Sequence, residues 1–201
     1  NATYDSGEDY NCVINKSNNT IVLGASEISI PSYARTIGQY AFEGNSGMIS
    51  FDVGNYITTI EGNAFRYCSN LEYFKLGPNV STLNVSALTY CDKLTTLIVD
   101  ENNTKYDSRD GSNCIIQTSI NTLVKACKAT VIPETVLYID SGAYAYMGGL
   151  TSVTVPDSVK SIYSYAFYYC EDLNEITIGN GLTSLGSSCV FGYASLKKIT
   201  C

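Results

Sequence analysis

The sequence predicts a solenoid, a stack of short coils that share a parallel β-sheet. Two observations carry this prediction: apolar residues recur with a 23-residue period, and a longer, 102-residue period relates two halves of the chain. Fixed periods of roughly 20 to 50 residues are typical of repeat architectures, because a single unit cannot bury its apolar set without a stacked neighbour. The shorter period is followed by Ile37, Ile60 and Leu83, and again by Ile139, Ile162 and Leu185.

Each coil is predicted to begin with a short strand and to end with a return segment. The copy that starts at Leu150 alternates apolar and polar residues as far as Val155, which is typical of a strand with one buried face. Pro156 then ends the strand, since proline lacks a backbone donor. Ile162 and Phe167 follow on a segment predicted to cross back as a short strand or a single helical turn. One inward row of the stack is predicted to contain Phe51, Phe74, Leu97, Val153, Ile176 and Ile199.

The longer period places an enlarged unit at the start of each half. The strand at 97–99 is followed by the next predicted strand, Thr130 to Ile132, after a step that is longer than the ordinary period. The added residues hold two strand-like runs, Cys114 to Gln117 and Thr122 to Val124, separated by a polar turn, and they predict a β-hairpin. The corresponding runs in the first half are Cys12 to Asn15 and Thr20 to Leu23.

The domain prediction is a single repeat domain over residues 1–201 with an internal duplication, about 1–98 and 99–201. Each half consists of one enlarged hairpin-bearing unit and three ordinary 23-residue repeats. The first residue falls inside an enlarged unit, which predicts a segment of a longer array. A natural end at Cys201 fits the second half equally well.

The consensus of the coils, Pro-x-x-Val-x-x-Ile-x-x-x-Ala-Phe-x-x-Cys-x-x-Leu, resembles the BspA-like branch of the leucine-rich repeat family. The resemblance covers most of residues 28 to 201, and its Ala-Phe-x-x-Cys element stands at 64–68 and 166–170. It implies a mostly β leucine-rich repeat solenoid of the α/β horseshoe class, with short helical or strand return segments and inserted hairpins. Three copies depart from the element: Ser86-Ala87-Leu88, Ala143-Tyr144 and Val190-Phe191-x-x-Ala194.

The resemblance also implies a function. Proteins of this branch are extracellular or cell-surface binding modules, so the expected partner is a host protein or a glycan. The alternative is a structural spacer, or an array that associates with itself end to end and has no ligand of its own.

Composition argues against several other classes of protein. The net charge is −7 with only 12 basic residues, which is unlike the basic footprint of a nucleic-acid-binding domain. The apolar runs are a few residues long, far short of a membrane span. No signal peptide is present in the chain, although this does not exclude secretion.

The sequence offers little chemistry for a catalytic site. Two carboxylate pairs are present, Asp100 with Glu101 and Glu171 with Asp172, but a solvated turn is favoured for both, because acid/base pairs need a pocket that shifts their pKa values. The sequence contains no histidine, which removes Ser-His and Cys-His pairs and histidine-based metal sites. It also has no P-loop or dinucleotide fingerprint, so no cofactor is expected. The stretch 107–113 is rich in oxygen ligands, but Arg109 stands where a calcium loop needs one, so an Asx-type turn is favoured over a metal site.

Most of the cysteines are predicted to be free, buried thiols. Cys68, Cys91 and Cys170 share one inward position of the repeat, and cysteine ranks among the most buried residue types. Cys12 and Cys114 occupy equivalent hairpins. A disulfide between stacked neighbours remains the alternative.

The candidate binding residues lie on the outward side of the predicted strands, on what should be the concave face. Two columns of side chains alternate with the buried ones, and solenoids present such surfaces to partners. The candidates are Asp52, Tyr73, Lys75, Thr96, Ile98, Ser152, Thr154, Glu175 and Thr177. A second candidate is a column of tyrosines that precede the cysteine position, for which mutual stacking is the favoured role: Tyr67, Tyr90, Tyr146, Tyr169 and Tyr193.

Overall fold

The computed structural model describes residues 1–7, 9–190 and 196–201, and these residues are mostly short strands joined by turns. They form two compact units, residues 1–94 with 99–104 and residues 95–98 with 105–201. In each unit the strands belong to successive coils of a solenoid, as predicted. The predictions for Phe191, Tyr193 and Ala194 lie outside the described residues.

The first unit contains two sheets. One has the strand order β1-β2-β3-β4-β6-β8, in which β1 to β3 are antiparallel and β3, β4, β6 and β8 are parallel. The other begins with β5, which pairs in parallel with β7. The strands are β1 (Tyr4–Asp5), β2 (Cys12–Asn15), β3 (Thr20–Gly24), β4 (Thr36–Ile37), β5 (Ser50–Asp52), β6 (Thr59–Ile60), β7 (Tyr73–Leu76) and β8 (Thr82–Leu83).

The second unit repeats this arrangement. Its larger sheet has the order β10-β11-β12-β13-β15-β17, and its smaller sheet has the parallel order β14-β16-β18. A further strand, β9 (Thr96–Val99), contributes residues to both units. The strands are β10 (Tyr106–Asp107), β11 (Cys114–Gln117), β12 (Thr122–Ala126), β13 (Tyr138–Ile139), β14 (Ser152–Val155), β15 (Ser161–Ile162), β16 (Glu175–Ile178), β17 (Ser184–Leu185) and β18 (Lys198–Thr200).

The 23-residue interval is the register of the coils. Ile37 pairs with Ile60, and Ile139 pairs with Ile162, each in a parallel ladder. Because equivalent residues lie side by side, the apolar rows are buried between neighbouring coils. The exception is the edge of the stack, where Leu185 on β17 is 55% exposed. Most return segments are short strands, and one is a 3-10 helix, Val85–Leu88, capped by the Asn84 side chain.

The core of the first unit contains a cluster of phenylalanines. Phe42 and Phe65 stack with ring centroids 5.0 Å apart, and Phe51 and Phe74 pack edge-on against Phe65 at 4.8 and 5.2 Å. All four rings are at most 5% exposed. The second unit places Tyr144 and Phe167 at the equivalent positions, stacked at 4.8 Å and surrounded by aliphatic side chains.

Both predicted hairpins are confirmed. β2 pairs with β3 and β11 pairs with β12, each antiparallel and each with a register shift at the same place. The sequence did not predict the short strands β1 and β10, which extend the hairpins by pairing with β2 and β11.

Two local predictions were wrong. Thr130 to Ile132 is not a strand, because its backbone bonds elsewhere: the Val131 amide donates to the Ser112 carbonyl at 3.0 Å. Ile199 belongs to the predicted inward row but is 59% exposed, since β18 lies at the edge of its sheet.

Candidate functional site

The strand face of the first unit is formed by β5 and β7. Ser50 pairs with Tyr73 and Asp52 pairs with Lys75 in the parallel ladder. The intervening Phe51 is buried, so these four side chains point to the opposite, solvent side of the sheet. The structure therefore brings the predicted residues Asp52, Tyr73 and Lys75 together on one surface.

Lys75 is held between two carboxylates on this surface. Its Nζ lies 2.9 Å from Asp100 Oδ2 and 3.7 Å from Asp52 Oδ2. The hydrogen bond from Lys75 lowers the pKa of Asp100 to about 2, with help from the Asn102 amide. The same bond to Asp100, followed by the charge of Asp52, raises the pKa of Lys75. Lys75 therefore stays protonated and fixed in position, and Asp100 is a member of the site that the column pattern missed.

The strand face of the second unit is formed by β14 and β16. Ser152 pairs with Glu175 and Thr154 pairs with Thr177, so these four predicted residues also share one surface. Glu175 accepts a hydrogen bond from Lys198 Nζ at 2.5 Å. The remaining two candidates, Thr96 and Ile98, lie on β9 and are half-buried.

A groove runs beside the first strand of each smaller sheet. The groove of the first unit has a volume of about 890 Å³, and Ser50, Asp52 and Lys75 line it together with Asp9 and Glu27. The groove of the second unit has a volume of about 570 Å³ and is lined by Lys128, Glu134, Tyr144, Ser152 and Thr154, among others. Both volumes are within the range of about 300 to 1,000 Å³ that is usual for ligand sites.

The opposite walls of the grooves were missed by sequence reasoning. They are formed by residues 26–30 and 128–132. The last three residues of each segment, 28–30 and 130–132, stand where the 23-residue period predicts a strand of the sheet. The sequence contains only a weak sign that these segments differ from strands, which is that their first two residues do not repeat the same apolar-polar pattern in both halves. These residues are Ser26 and Glu27 in the first half and Lys128 and Ala129 in the second. Nothing in the period itself indicates that these segments leave the sheet.

The tyrosine column lies on a different surface. Tyr67 and Tyr90 stack with ring centroids 4.5 Å apart, and the Arg66 guanidinium lies 4.5 Å from the Tyr67 ring centroid. In the second unit Tyr146 and Tyr169 stack at 5.6 Å, and Tyr168 packs edge-on against Tyr169 at 4.6 Å.

The four described tyrosines of the column have a backbone φ in the left-handed region, which residues other than glycine rarely adopt. The equivalent residue of an earlier coil is Gly44, with a φ of 71°. A bulky residue in this left-handed region costs about 1–2 kcal/mol relative to the right-handed one. The stacking of the rings offsets part of this cost. The tyrosines with φ between 54° and 60° are Tyr67, Tyr90, Tyr146 and Tyr169.

The repeat cysteines are buried, as predicted, and each bonds to the coil before it. Cys68 Sγ donates to the Phe42 carbonyl at 3.2 Å, and Cys170 Sγ donates to the Tyr144 carbonyl at 3.1 Å. Burial raises the pKa of both thiols to about 11. Because the thiolate is the reactive form, these groups serve packing and hydrogen bonding rather than nucleophilic chemistry.

The stretch 107–113 forms the predicted Asx-type turn. Asp107 Oδ1 accepts from the Arg109 amide at 3.2 Å and from Arg109 Nε at 2.7 Å. Over residues 1–7, 9–190 and 196–201, no group of three or more His, Cys, Asp or Glu side chains could hold a metal ion. Within the same residues, no helix has the length and apolar character that crossing a membrane requires.

Comparison with solved structures shows the same fold. A leucine-rich repeat protein from Eubacterium ventriosum is 17% identical over 98% of this chain and 71% of its own, with a TM-score of 0.55. The leucine-rich repeat protein TpLRR from Treponema pallidum is 16% identical over 96% of this chain and 90% of its own, with a TM-score of 0.52. The pneumococcal vaccine antigen PcpA is 15% identical over 94% of this chain and 53% of its own, with a TM-score of 0.51. No curated protein matches the chain.

The repeat itself matches a sequence family. The BspA type leucine-rich repeat region matches in 6 copies over residues 21–117 and 124–201. These ranges include the strands β4 to β11 and β13 to β18, together with the buried Phe42, Phe65, Cys68 and Cys170. The chain belongs to the BspA-type leucine-rich repeat family.

Proposed function

We propose that this protein is a non-enzymatic interaction module, located outside the cell or on its surface, that binds a protein or a glycan through the strand face. One observation carries the proposal: predicted strand-face residues line a groove in each unit, Asp52 and Lys75 in the first and Ser152 and Thr154 in the second. Leucine-rich repeats of this family are typical of surface proteins that take part in protein interactions.

The first unit has the chemistry of a recognition surface. Lys75, Asp52 and Asp100 form an array of charges whose geometry is fixed by mutual contacts, and the half-buried Tyr73 ring lies beside them on the same strand as Lys75. A ligand that meets a prearranged surface loses less side-chain freedom on binding. Tyrosine adds a rigid contact area with a polar end, which suits both proteins and sugars.

The second candidate function is a structural spacer. Its support is the filled interior of each unit, together with the ring stacking of Tyr67 on Tyr90 and of Tyr146 on Tyr169. A spacer needs this internal support and requires no ligand contact at Tyr73 or Lys75.

An array of glycans and extracellular-matrix proteins separates the two functions. The wild-type protein is expected to bind at least one class of ligand, and Tyr73→Ala or Lys75→Ala is expected to abolish that binding. Tyr4→Ala is the matched control, because Tyr4 is 42% exposed on β1, away from the strand face.

Other outcomes decide against the strand face. Binding that survives both substitutions but is lost in Tyr67→Ala or Tyr169→Ala assigns the ligand to the tyrosine column. Absence of binding across the whole array favours the spacer. The surface location is tested by labelling intact cells with an antibody to this chain, and labelling that requires permeabilised cells would contradict it.

A further inference from the structure

Each half of the chain lacks the first strand that its repeat period calls for. Ile28 and Ile30 stand one short period before Phe51 and Val53, and would be the inward residues of a strand beside β5. In the structure they are only half-buried and belong to no strand, whereas Phe51 and Val53 are 5% and 0% exposed.

The hairpin that precedes each segment explains this departure. The Ser29 amide donates to the Tyr10 carbonyl at 3.1 Å, and the Val131 amide donates to the Ser112 carbonyl at 3.0 Å. The segment is thereby held against the start of the hairpin rather than in the ladder. As a result β5 and β14 are the outermost described strands of their sheets on this side.

The outer edge of β5 presents backbone groups to the groove. The Tyr73 amide donates to the Ile49 carbonyl at 3.3 Å and the Val53 amide donates to the Lys75 carbonyl at 3.0 Å. The odd-numbered residues at and beside the ends of β5 therefore bond to β7. Peptide groups alternate in direction along a strand. The amides and carbonyls of Ser50 and Asp52 therefore face away from β7, and both residues line the groove.

The second unit has the same geometry. The Glu175 amide donates to the Thr151 carbonyl at 3.2 Å, and the Gly179 amide donates to the Val155 carbonyl at 2.8 Å. Ser152 and Thr154 therefore turn their peptide groups toward the groove that they line. An open strand edge beside a groove recurs at the 102-residue period, so it is a regular feature of the enlarged unit.

The charge of the first groove indicates what it accepts. Three carboxylates line it, Asp9, Glu27 and Asp52, against the single cation Lys75. Lys75 is already engaged by Asp52 and Asp100. The groove is therefore negative at neutral pH and complements a basic segment. The second groove has one lysine and one glutamate, Lys128 and Glu134, and has no such bias.

We propose that the groove of the first unit binds an extended segment of a partner protein, rich in lysine or arginine, which adds to the sheet as a strand beside β5. The Ser50 and Asp52 backbones pair with the segment, and Asp9, Glu27 and Asp52 contact its basic side chains. Strand addition takes its affinity from backbone pairing and its specificity from the flanking side chains. The inference rests on the proposed interaction function and names the partner chemistry for one part of the strand face.

The test is selection of a random octapeptide library on the intact protein. Enriched peptides are expected to be rich in Lys or Arg, to bind less tightly as salt is raised, and to protect the Ser50 and Asp52 amides from hydrogen exchange. Ser50→Pro removes a donor that faces the groove without removing a ladder bond, which is the placement that edge strands tolerate. It is expected to weaken binding about tenfold, as the loss of one good hydrogen bond would.

Two charge variants separate the groove from general electrostatics. Glu27→Gln with Asp52→Asn is expected to weaken binding about tenfold or more and to flatten its salt dependence. The matched control is Glu72→Gln with Glu101→Gln, which removes the same charge from two exposed residues outside the groove. Far-ultraviolet circular dichroism confirms that each variant is folded.

The proposal is overturned if no basic peptide is enriched, if the control pair weakens binding as much as the groove pair, or if the Ser50 and Asp52 amides stay unprotected. Failure of the proposed function looks different. If peptides bind as described while the array of glycans and matrix proteins remains negative, the interaction function is limited to basic extended segments at the groove. If binding to the array is lost in Tyr73→Ala but retained in Ser50→Pro, only the strand-face function stands.

Discussion

The two units share a backbone arrangement but differ in their side chains. In the core of the first unit Phe42 lies beside Gly24, whereas the second unit has Tyr144 at the Phe42 position and Ala126 at the Gly24 position. The groove of the first unit is lined by acidic residues, and the groove of the second unit has no such bias. The strands, the register and the direction of the edge peptide groups are the same. The difference teaches that repetition conserves the geometry of the coil, while the side chains that meet a ligand or fill a gap change from one half to the other.

The largest effect is expected from the shared core. Phe65→Ala should lower the free energy of unfolding by about 3–5 kcal/mol, because the buried ring packs against Phe42, Phe51 and Phe74 and its loss leaves a cavity. Urea denaturation followed by circular dichroism measures the loss. Tyr4→Ala on the surface is the control, and a loss below about 1 kcal/mol for Phe65→Ala would contradict the stacked core.

The second prediction concerns the pairing of Gly24 with Phe42. A Cβ built on Gly24 would lie 1.9 Å from Phe42 Cε1, so Gly24→Ala should destabilise the protein by about 1–3 kcal/mol through overpacking. In the second unit the counterpart of Gly24 is Ala126 and the counterpart of Phe42 is Tyr144. Ala126 is 1% exposed, so the core of that unit accommodates the additional methyl group. Gly24→Ala combined with Phe42→Leu should recover stability relative to Gly24→Ala. A neutral effect of Gly24→Ala in urea denaturation would contradict the close packing of Gly24 against the Phe42 ring.

The third prediction concerns the floor of the second groove. The Tyr144 hydroxyl is buried and has no hydrogen-bond partner among the described residues, and burial raises the pKa of this phenol well above its usual value. Tyr144→Phe should raise the free energy of unfolding by about 1 kcal/mol, since it removes an unsatisfied polar group. Phe42→Tyr is the reciprocal substitution and should be destabilising. Destabilisation by Tyr144→Phe would show that the hydroxyl has a partner in solution.

The smallest effect concerns the ion pair of Lys75 with Asp100. The pKa of Asp100 is lowered from 3.8 to about 2 in the folded state, mainly by the hydrogen bond from Lys75. A lowered folded-state pKa contributes stability above pH 3.8, and the contribution is lost as the pH falls from 3.8 toward 2. Lys75→Met should remove this part of the acid sensitivity. The check is the urea midpoint measured at several pH values from 5 to 2; identical profiles for Lys75→Met and wild type would contradict the assignment.

Much of the fold could be predicted because the period encodes the neighbours. Residues one short period apart in the sequence, such as Ile37 and Ile60, are partners in the ladder, so the interval alone located the coils and the buried rows. The hairpins were predictable from the extra residues of the enlarged units and their polar turns. The short strands β1 and β10 were not, because two residues carry too little pattern to distinguish a strand from a loop.

The candidate site was predicted only in part. Alternation along β5 and β7 located Asp52, Tyr73 and Lys75 on one surface, since side chains alternate with a period of two. The role of Asp100 as the closest partner of Lys75 was missed, because this contact joins residues that occupy different positions of their coils. The groove was missed because the period assigns a strand to the place where the groove lies.

The sequence by itself determined the coil, its register and its buried side chains, because all of these repeat and a stack of repeats has one efficient way to cover its apolar faces. Only the tertiary structure decided that, within the described residues, β5 and β14 have an unpaired edge beside a groove. The segments 26–30 and 128–132 have a choice of partners, the sheet edge or the start of the hairpin. Their amides bond to the hairpin at Tyr10 and Ser112, and that choice depends on the competition between hydrogen-bond partners distant in the chain rather than on any local pattern.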